Sequence, residues 1–219
     1  MQGFVSARKK FAEKVLLLLK KRYKSRMQTA RGHTTPWELL VATILSAQAQ
    51  DTQVNKATVL LFKDLKNVTD YARLKPSELY KYTKSIGLYR NKSKNIIRTA
   101  KMILKDFDGK VPKTMEQLTL LPGVGRKTAN IVLSNSFGIN EGIAIDTHCI
   151  VVSKRLGLTK TKNPKRIEMQ LTKLYPKSEW SNVSNLFIAL GRDTCTARVK
   201  YCNRCVLKNM CPSSLVIFK

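Results

Sequence analysis

At 219 residues, 43% of them hydrophobic, the chain has enough apolar material for a substantial core, in one large domain or two small ones sharing an interface. Its 41 Lys and Arg against 14 Asp and Glu leave a net charge of +27, which places nucleic acid first among partner classes; the plainer reading is a composition bias or the solvation of helix faces. The longest aliphatic run, Val15 to Leu19, is shorter than a signal-peptide core and well short of the ~20 residues a membrane span needs, so the chain is read as a soluble, intracellular monomer of cytoplasm or nucleoid with no membrane role.

Apolar residues recur at spacings of three and four, as in Trp37 to Leu45 and Ile167 to Leu174, and strand-like alternation is scarce, so the fold class is all-α. In chain order, Phe11, Val15 to Leu19 and the flanking Lys14, Lys20 and Lys21 predict an amphipathic helix. Thr35, Pro36 and Glu38 form a capping box with proline at the first helical position, predicting a helix through Ala47. Pro76 and Glu78 open a short helix, Ile86-Gly87-Leu88-Tyr89 is a glycine-centred break, and Thr114 with Gln117 repeats the capping device before Leu118. In all, nine or ten helices are expected, with short connections, no flexible linker and no internal repeat.

The sharpest local motif is Leu121-Pro122-Gly123-Val124-Gly125-Arg126-Lys127-Thr128-Ala129. Gly123 and Gly125 around Val124 allow a tight turn whose backbone approaches a ligand, and the following helix presents unpaired N–H groups to a phosphate. An ordinary helix-helix turn explains the glycines equally well. Lys127 lies in the first helical turn beside Arg126; the helix dipole and the like charge both favour a neutral, nucleophilic amine. Taken alone, Lys127 reads as one more phosphate contact. Asp146, in Ile143-Ala144-Ile145-Asp146-Thr147-His148-Cys149, is a lone acid after apolar residues, and its simplest role is an N-cap for the helix through Ile150, Val151 and Leu156.

Five cysteines are present, and Cys195, Cys202, Cys205 and Cys211 crowd into the last 25 residues. A secreted disulfide framework would spread its staples along the chain, so a metal or cluster site is the better reading. Intervals of six, two and five residues contain only one C-x2-C, whereas zinc ribbons use two close pairs, which leaves zinc the second choice. Cys149 falls outside the set and reads as a small buried hydrophobe.

Together, the LPGVG-x-KTA hairpin with its lysine, the aspartate of the IDTH stretch about twenty residues on, and the C-x6-C-x2-C-x5-C tail resemble the endonuclease III family of helix-hairpin-helix glycosylases. Leu45-Ser46-Ala47-Gln48, Ile86-Gly87-Leu88-Tyr89 and Leu190-Gly191-Arg192 extend the resemblance over nearly the whole chain. The resemblance implies two helical lobes with a DNA-facing cleft between them: residues 29–140 as a six-helix barrel carrying the hairpin, and 1–28 with 141–219 as a cluster lobe. It makes the four cysteines ligands of a [4Fe–4S] cluster, structural in role. It makes Lys127 the nucleophile and Asp146 the carboxylate that steadies the sugar.

Gln48 would fill the gap left by an extruded base and Leu88 would wedge into the stack, although without the family they read as a helix-end glutamine and a core leucine. Gly123, Val124, Gly125 and Arg126 would grip the DNA backbone, with Arg198 and Lys200 adding phosphate contacts from the loop between the first two cysteines. The implied activity is excision of oxidised pyrimidines from double-stranded DNA, with cleavage on the 3′ side of the abasic site by β-elimination through a lysine Schiff base. Two rivals remain: a monofunctional mismatch or uracil glycosylase, whose relatives usually lack the lysine, and a non-enzymatic helix-hairpin-helix DNA-binding module. Asp193 stands where the family pattern has an aromatic or apolar residue, and the sequence assigns it no role.

Overall fold

The computed structural model describes residues 2–23 and 35–216. The predicted boundary near residue 29 lies outside the described residues. Chain contacts divide the molecule into two units: Met1–Gly32 with Asn140–Lys219, and His33–Ile139. Each has its own hydrophobic core. Among the described residues there are eleven α-helices and no strand, the nearest approach to one being an isolated bridge between Cys195 and Lys200. No helix among them is long and apolar enough to cross a membrane.

The middle unit holds α2 (Pro36–Ser46), α3 (Asp51–Asp64), α4 (Val68–Ala72), α5 (Tyr80–Thr83), α6 (Tyr89–Asp106), α7 (Met115–Leu120) and α8 (Arg126–Phe137). Helix α2 starts as expected: the Glu38 N–H donates to Thr35 Oγ1 at 3.1 Å and the Thr35 N–H donates to Glu38 Oε2 at 3.2 Å. It ends at Ser46, with Ala47 already turned to φ −57°, ψ 117°. At α7 only half of the reciprocal box forms, the Gln117 N–H donating to Thr114 Oγ1 at 3.2 Å. The segment opened by Pro76 is a 3-10 turn over Pro76–Leu79 that runs on into α5. The core of this unit is built on Leu40, Leu45, Leu61, Tyr71, Ile96, Ile103 and Leu118, all fully buried.

The second unit contains α1 (Gln2–Tyr23), α9 (Thr147–Arg155), α10 (Pro164–Thr172) and α11 (Trp180–Asp193). The amphipathic reading of α1 is visible in burial: Ala12, Val15, Leu16 and Leu19 point into the core while Leu17 is exposed. Polar ties hold α1 in place. Arg8 donates to the Leu158 carbonyl, and Lys20 Nζ donates to Glu179 Oε1 at 2.6 Å. Asp193 acquires a role here that the sequence did not reveal. Its Oδ2 accepts from Tyr23 Oη at 2.9 Å, and Arg204 Nη2 donates to its carbonyl oxygen at 2.7 Å. An acid at the end of α11 therefore ties the last turn of α1 to the loop that carries the cysteines. Helices α9 and α11 approach closely at Gly191, where an added Cβ would lie 2.7 Å from the His148 Cβ. The Leu190-Gly191-Arg192 motif is thus in part a packing requirement set by the histidine two residues after Asp146.

Candidate nucleic-acid interface and active site

The hairpin follows from its own residues. Leu121 to Val124 form a turn closed by the Val124 N–H donating to the Leu121 carbonyl at 3.1 Å, with Pro122 at the second position and Gly123, at φ 81°, at the third. This is the proline-glycine pattern of a type II turn, which needs a positive φ at its third residue. Gly123 is required a second time by its surroundings, because a Cβ there would meet Asn95 Nδ2 at 2.9 Å. Thr99 Oγ1 supports the same turn by donating to the Pro122 carbonyl at 3.0 Å. Val124 is buried, so its side chain anchors the hairpin and only its backbone faces outward chemistry.

Gly125 caps α8 without any side-chain hydrogen bond, and nothing lies within 4 Å of where its Cβ would be. The first N–H groups of a helix have no internal partner and carry the positive end of its dipole. With Arg126 and Lys127 both exposed in that first turn, α8 presents a cationic, donor-rich end. Among the described residues the Lys127 side chain has no hydrogen bond or ion pair.

Three non-glycine residues of this unit take left-handed backbone, Gln48, Leu88 and Asp108, and the turns of the first two lie side by side. Ser46 to Ala49 closes with the Ala49 N–H donating to the Ser46 carbonyl at 3.1 Å, and places Gln48 at φ 53°. Ile86 to Tyr89 closes in the same way at 3.2 Å and places Leu88 at φ 60°, ψ 25°. Left-handed backbone costs a non-glycine residue roughly 1–2 kcal/mol. Both side chains are nevertheless exposed, Leu88 by 60%, so neither residue recovers that cost by burial. The core-leucine reading of Leu88 is therefore not what the fold shows. A Cβ on Gly87 would lie 3.6 Å from the Gln48 carbonyl oxygen, which makes the two turns neighbours. Strained, exposed side chains held together by the surrounding structure are the pattern expected of a binding feature.

In the second unit Asp146 is the N-cap of α9, with the Cys149 N–H donating to Oδ1 at 2.7 Å. The apolar residues before it explain its fixity. Ile143 and Ile145 are buried in the core, and Ser184 Oγ donates to the Ala144 carbonyl between them at 2.7 Å. The carboxylate is half-buried, with one oxygen committed to the cap. Cys149 is fully buried and burial pushes its thiol up, as befits a core residue.

Cys195, Cys202, Cys205 and Cys211 are all half-buried free thiols and line one cavity together with Arg155 and Thr194. Among the described residues, no three Cys, His, Asp or Glu side chains are placed to hold a single metal ion. Burial raises the Cys205 thiol, the Leu207 N–H opposes that, and the three other cysteines push it further up. Four cysteine sulfurs around one cavity are a donor set suited to a metal or cluster, and N–H donors aim at them: Arg155 Nη1 donates to Cys195 Sγ at 3.3 Å and the Leu207 N–H to Cys205 Sγ at 3.4 Å. Arg198 is exposed in the loop between the first two cysteines. Lys200 is turned inward, its Nζ donating to the Ser213 carbonyl at 3.1 Å. The sequence missed Asn95, Thr99, Ser184 and Arg155, whose roles depend on partners distant along the chain.

Known proteins match this arrangement. Residues 41–177 match the HhH-GPD superfamily of base excision DNA repair proteins. The chain is 45% identical over 210 residues to endonuclease III of Synechocystis, covering 96% of this chain and 95% of that one, and 39% identical over 183 residues to endonuclease III of Escherichia coli, covering 84% and 86%. A solved non-covalent endonuclease III–DNA complex superposes with a TM-score of 0.83 at 39% identity, over 92% of this chain and 95% of that one. A thermostable thymine-DNA glycosylase, at 22% identity over 94% and 95% of the two chains and a TM-score of 0.79, shares the fold. This protein belongs to the endonuclease III family of the HhH-GPD superfamily.

Proposed function

We propose that this chain is a bifunctional DNA glycosylase and abasic-site lyase of base excision repair, acting on double-stranded DNA with damaged bases or abasic sites. The observation that carries the reading is Lys127: an exposed amine in the first turn of α8, directly behind a backbone-open hairpin, in a chain of the endonuclease III family. A trapped covalent endonuclease III–DNA intermediate, 39% identical over 92% of this chain with a TM-score of 0.83, supports covalent chemistry. The lysine also weighs against a monofunctional mismatch enzyme.

In the proposed mechanism, the α8 N-terminus and Arg126 hold the phosphate backbone, while Gln48 and Leu88 occupy the space of the extruded base and offset part of the unstacking cost. The Lys127 amine attacks C1′ of the deoxyribose; the C1′–N bond to the base breaks and its electron pair leaves with the base. Asp146 stabilises the positive charge developing on the sugar and takes the proton shed by the nucleophile. Ring opening gives a Schiff base on Lys127, which acidifies the proton at C2′. Loss of that proton expels the 3′ phosphate, so the strand breaks by β-elimination.

Endonuclease III proteins are generally iron–sulfur proteins. In this chain Cys195, Cys202, Cys205 and Cys211 would hold a [4Fe–4S] cluster. When bound, that group cross-links a short C-terminal segment that could not fold well alone. Arg155 steadies the loop that carries the first ligand, donating to the Thr196 carbonyl at 2.6 Å.

The test is incubation with duplexes bearing thymine glycol, uracil or an abasic site, with and without borohydride. Cleavage and trapping at thymine glycol and the abasic site are expected from a purified protein with brown absorbance. Activity on uracil alone, without trapping, would favour the monofunctional rival, and an inert protein the DNA-binding module. A further expectation concerns the wedge. Leu88→Gly removes left-handed strain and little buried surface, so the melting temperature should not fall, while excision from duplex slows roughly ten-fold, because unstacking is worth a few kcal/mol. Wild-type excision by that variant would remove Leu88 from the mechanism.

A further inference from the structure

Among the described residues Lys92 is the one lysine that the fold buries, being 5% exposed, and the mechanism above has no use for it. Its Nζ donates to the Leu45 carbonyl at 2.8 Å, across 47 residues of sequence. Leu45 lies in the last turn of α2, immediately before the turn that holds Gln48. Lys92 lies in the first turn of α6, where its N–H donates to the Leu88 carbonyl at 3.1 Å. One residue therefore grips both strained turns, its backbone holding the Leu88 turn and its ammonium holding the helix end that feeds Gln48. The contact is well matched, since the C-terminal carbonyls of α2 carry the negative end of the helix dipole. The expense is real as well, for desolvation alone lowers the Lys92 pKa, which says that the surroundings disfavour its charge.

The placement extends along α6. Leu88, Lys92, Asn95 and Thr99 follow one another at intervals of four, three and four, so they share one face of the helix. Lys92 holds the Gln48 turn, Asn95 backs Gly123, and Thr99 binds the Pro122 carbonyl. The polar residues of one face thus support the end of α2 that leads to Gln48 and the Pro122–Gly123 turn.

We infer that Lys92 is a positioning residue for base extrusion, fixing the Gln48 and Leu88 turns in the geometry that fills the gap in the duplex. The inference rests on the function proposed above and adds a residue to it. A purely structural role would cost stability without touching the wedge, and a double-mutant cycle separates the two.

Lys92→Met keeps the unbranched stem and removes the ammonium; Lys92→Gln, neutral but polar, serves the same comparison if the methionine variant does not fold. Single-turnover excision is measured on thymine glycol duplex, with 2-aminopurine opposite the lesion reporting unstacking, in wild type, the Lys92 variant, Gln48→Gly and the double variant. The Lys92 variant is expected to excise about ten-fold more slowly with a smaller fluorescence change, since misplacement of around an ångström can cost such factors. Combined with Gln48→Gly, its effect should largely vanish, because the residue whose turn the ammonium holds is already gone. A Lys92 variant with wild-type excision below its melting temperature, or effects that simply multiply, would overturn the inference. A wild-type protein that neither excises nor unstacks the lesion would overturn it together with the proposed function.

Discussion

Replacing Lys127 by alanine is expected to abolish strand cleavage and borohydride trapping while the protein still binds duplex DNA. The side chain is exposed and α8 is otherwise packed through Ala129, Val132 and Leu133, so its loss removes nothing from the core. Alanine is the best helix former, and an exposed substitution of this kind changes stability by no more than about 0.5 kcal/mol. The N–H groups at the start of α8 remain to hold phosphate. Loss of the attacking amine, by contrast, should lower lyase turnover by about three orders of magnitude or more, as removal of a nucleophile does elsewhere. Electrophoresis of borohydride-treated reactions reads this directly. A trapped adduct in Lys127→Ala would move the nucleophile elsewhere.

The features legible in the sequence are those whose physics is local. Thr35-Pro36 with Glu38 dictates a helix start because the cap and its reciprocal partner lie three residues apart. Pro122-Gly123 dictates the hairpin because one residue fixes φ and the next accepts a positive φ. The cysteine spacing announced a shared site because all four ligands fall within one short segment. Gln48 and Leu88 were harder, since glycine is the residue expected at a left-handed position and in the second turn it stands one place too early, at Gly87. Their strain becomes visible only in the backbone. Lys92 runs against the rule that lysine stays in water, and its carbonyl partner is 47 residues away. Asp193 and Lys200 were obscure for the same reason: the groups they bind, Tyr23 and Ser213, belong to other elements. A stripe of polar residues at intervals of three and four along α6, Lys92, Asn95 and Thr99, was in the sequence throughout, and only the turns it supports give it meaning.

Asp146→Asn should separate the two roles that one carboxylate holds. The structure shows Asp146 as the cap of α9, its Oδ1 accepting from the Cys149 N–H. Asparagine caps a helix as well as aspartate does, so the variant should keep its fold and melt within about 0.5 kcal/mol of wild type. It lacks the negative charge that the proposed chemistry places near the developing cation and the proton that leaves the amine. Base release from thymine glycol duplex should therefore slow by roughly 10²–10³ under single-turnover conditions, the range for removal of one stabilising or proton-accepting group. Asp146→Ala should lose the same rate and, in addition, about 1 kcal/mol of stability as the cap goes. The comparison is decisive because the two measurements move independently. If the asparagine variant excised at the wild-type rate while the alanine variant merely melted earlier, Asp146 would be a helix cap and the charge on the sugar would have to be met by another group.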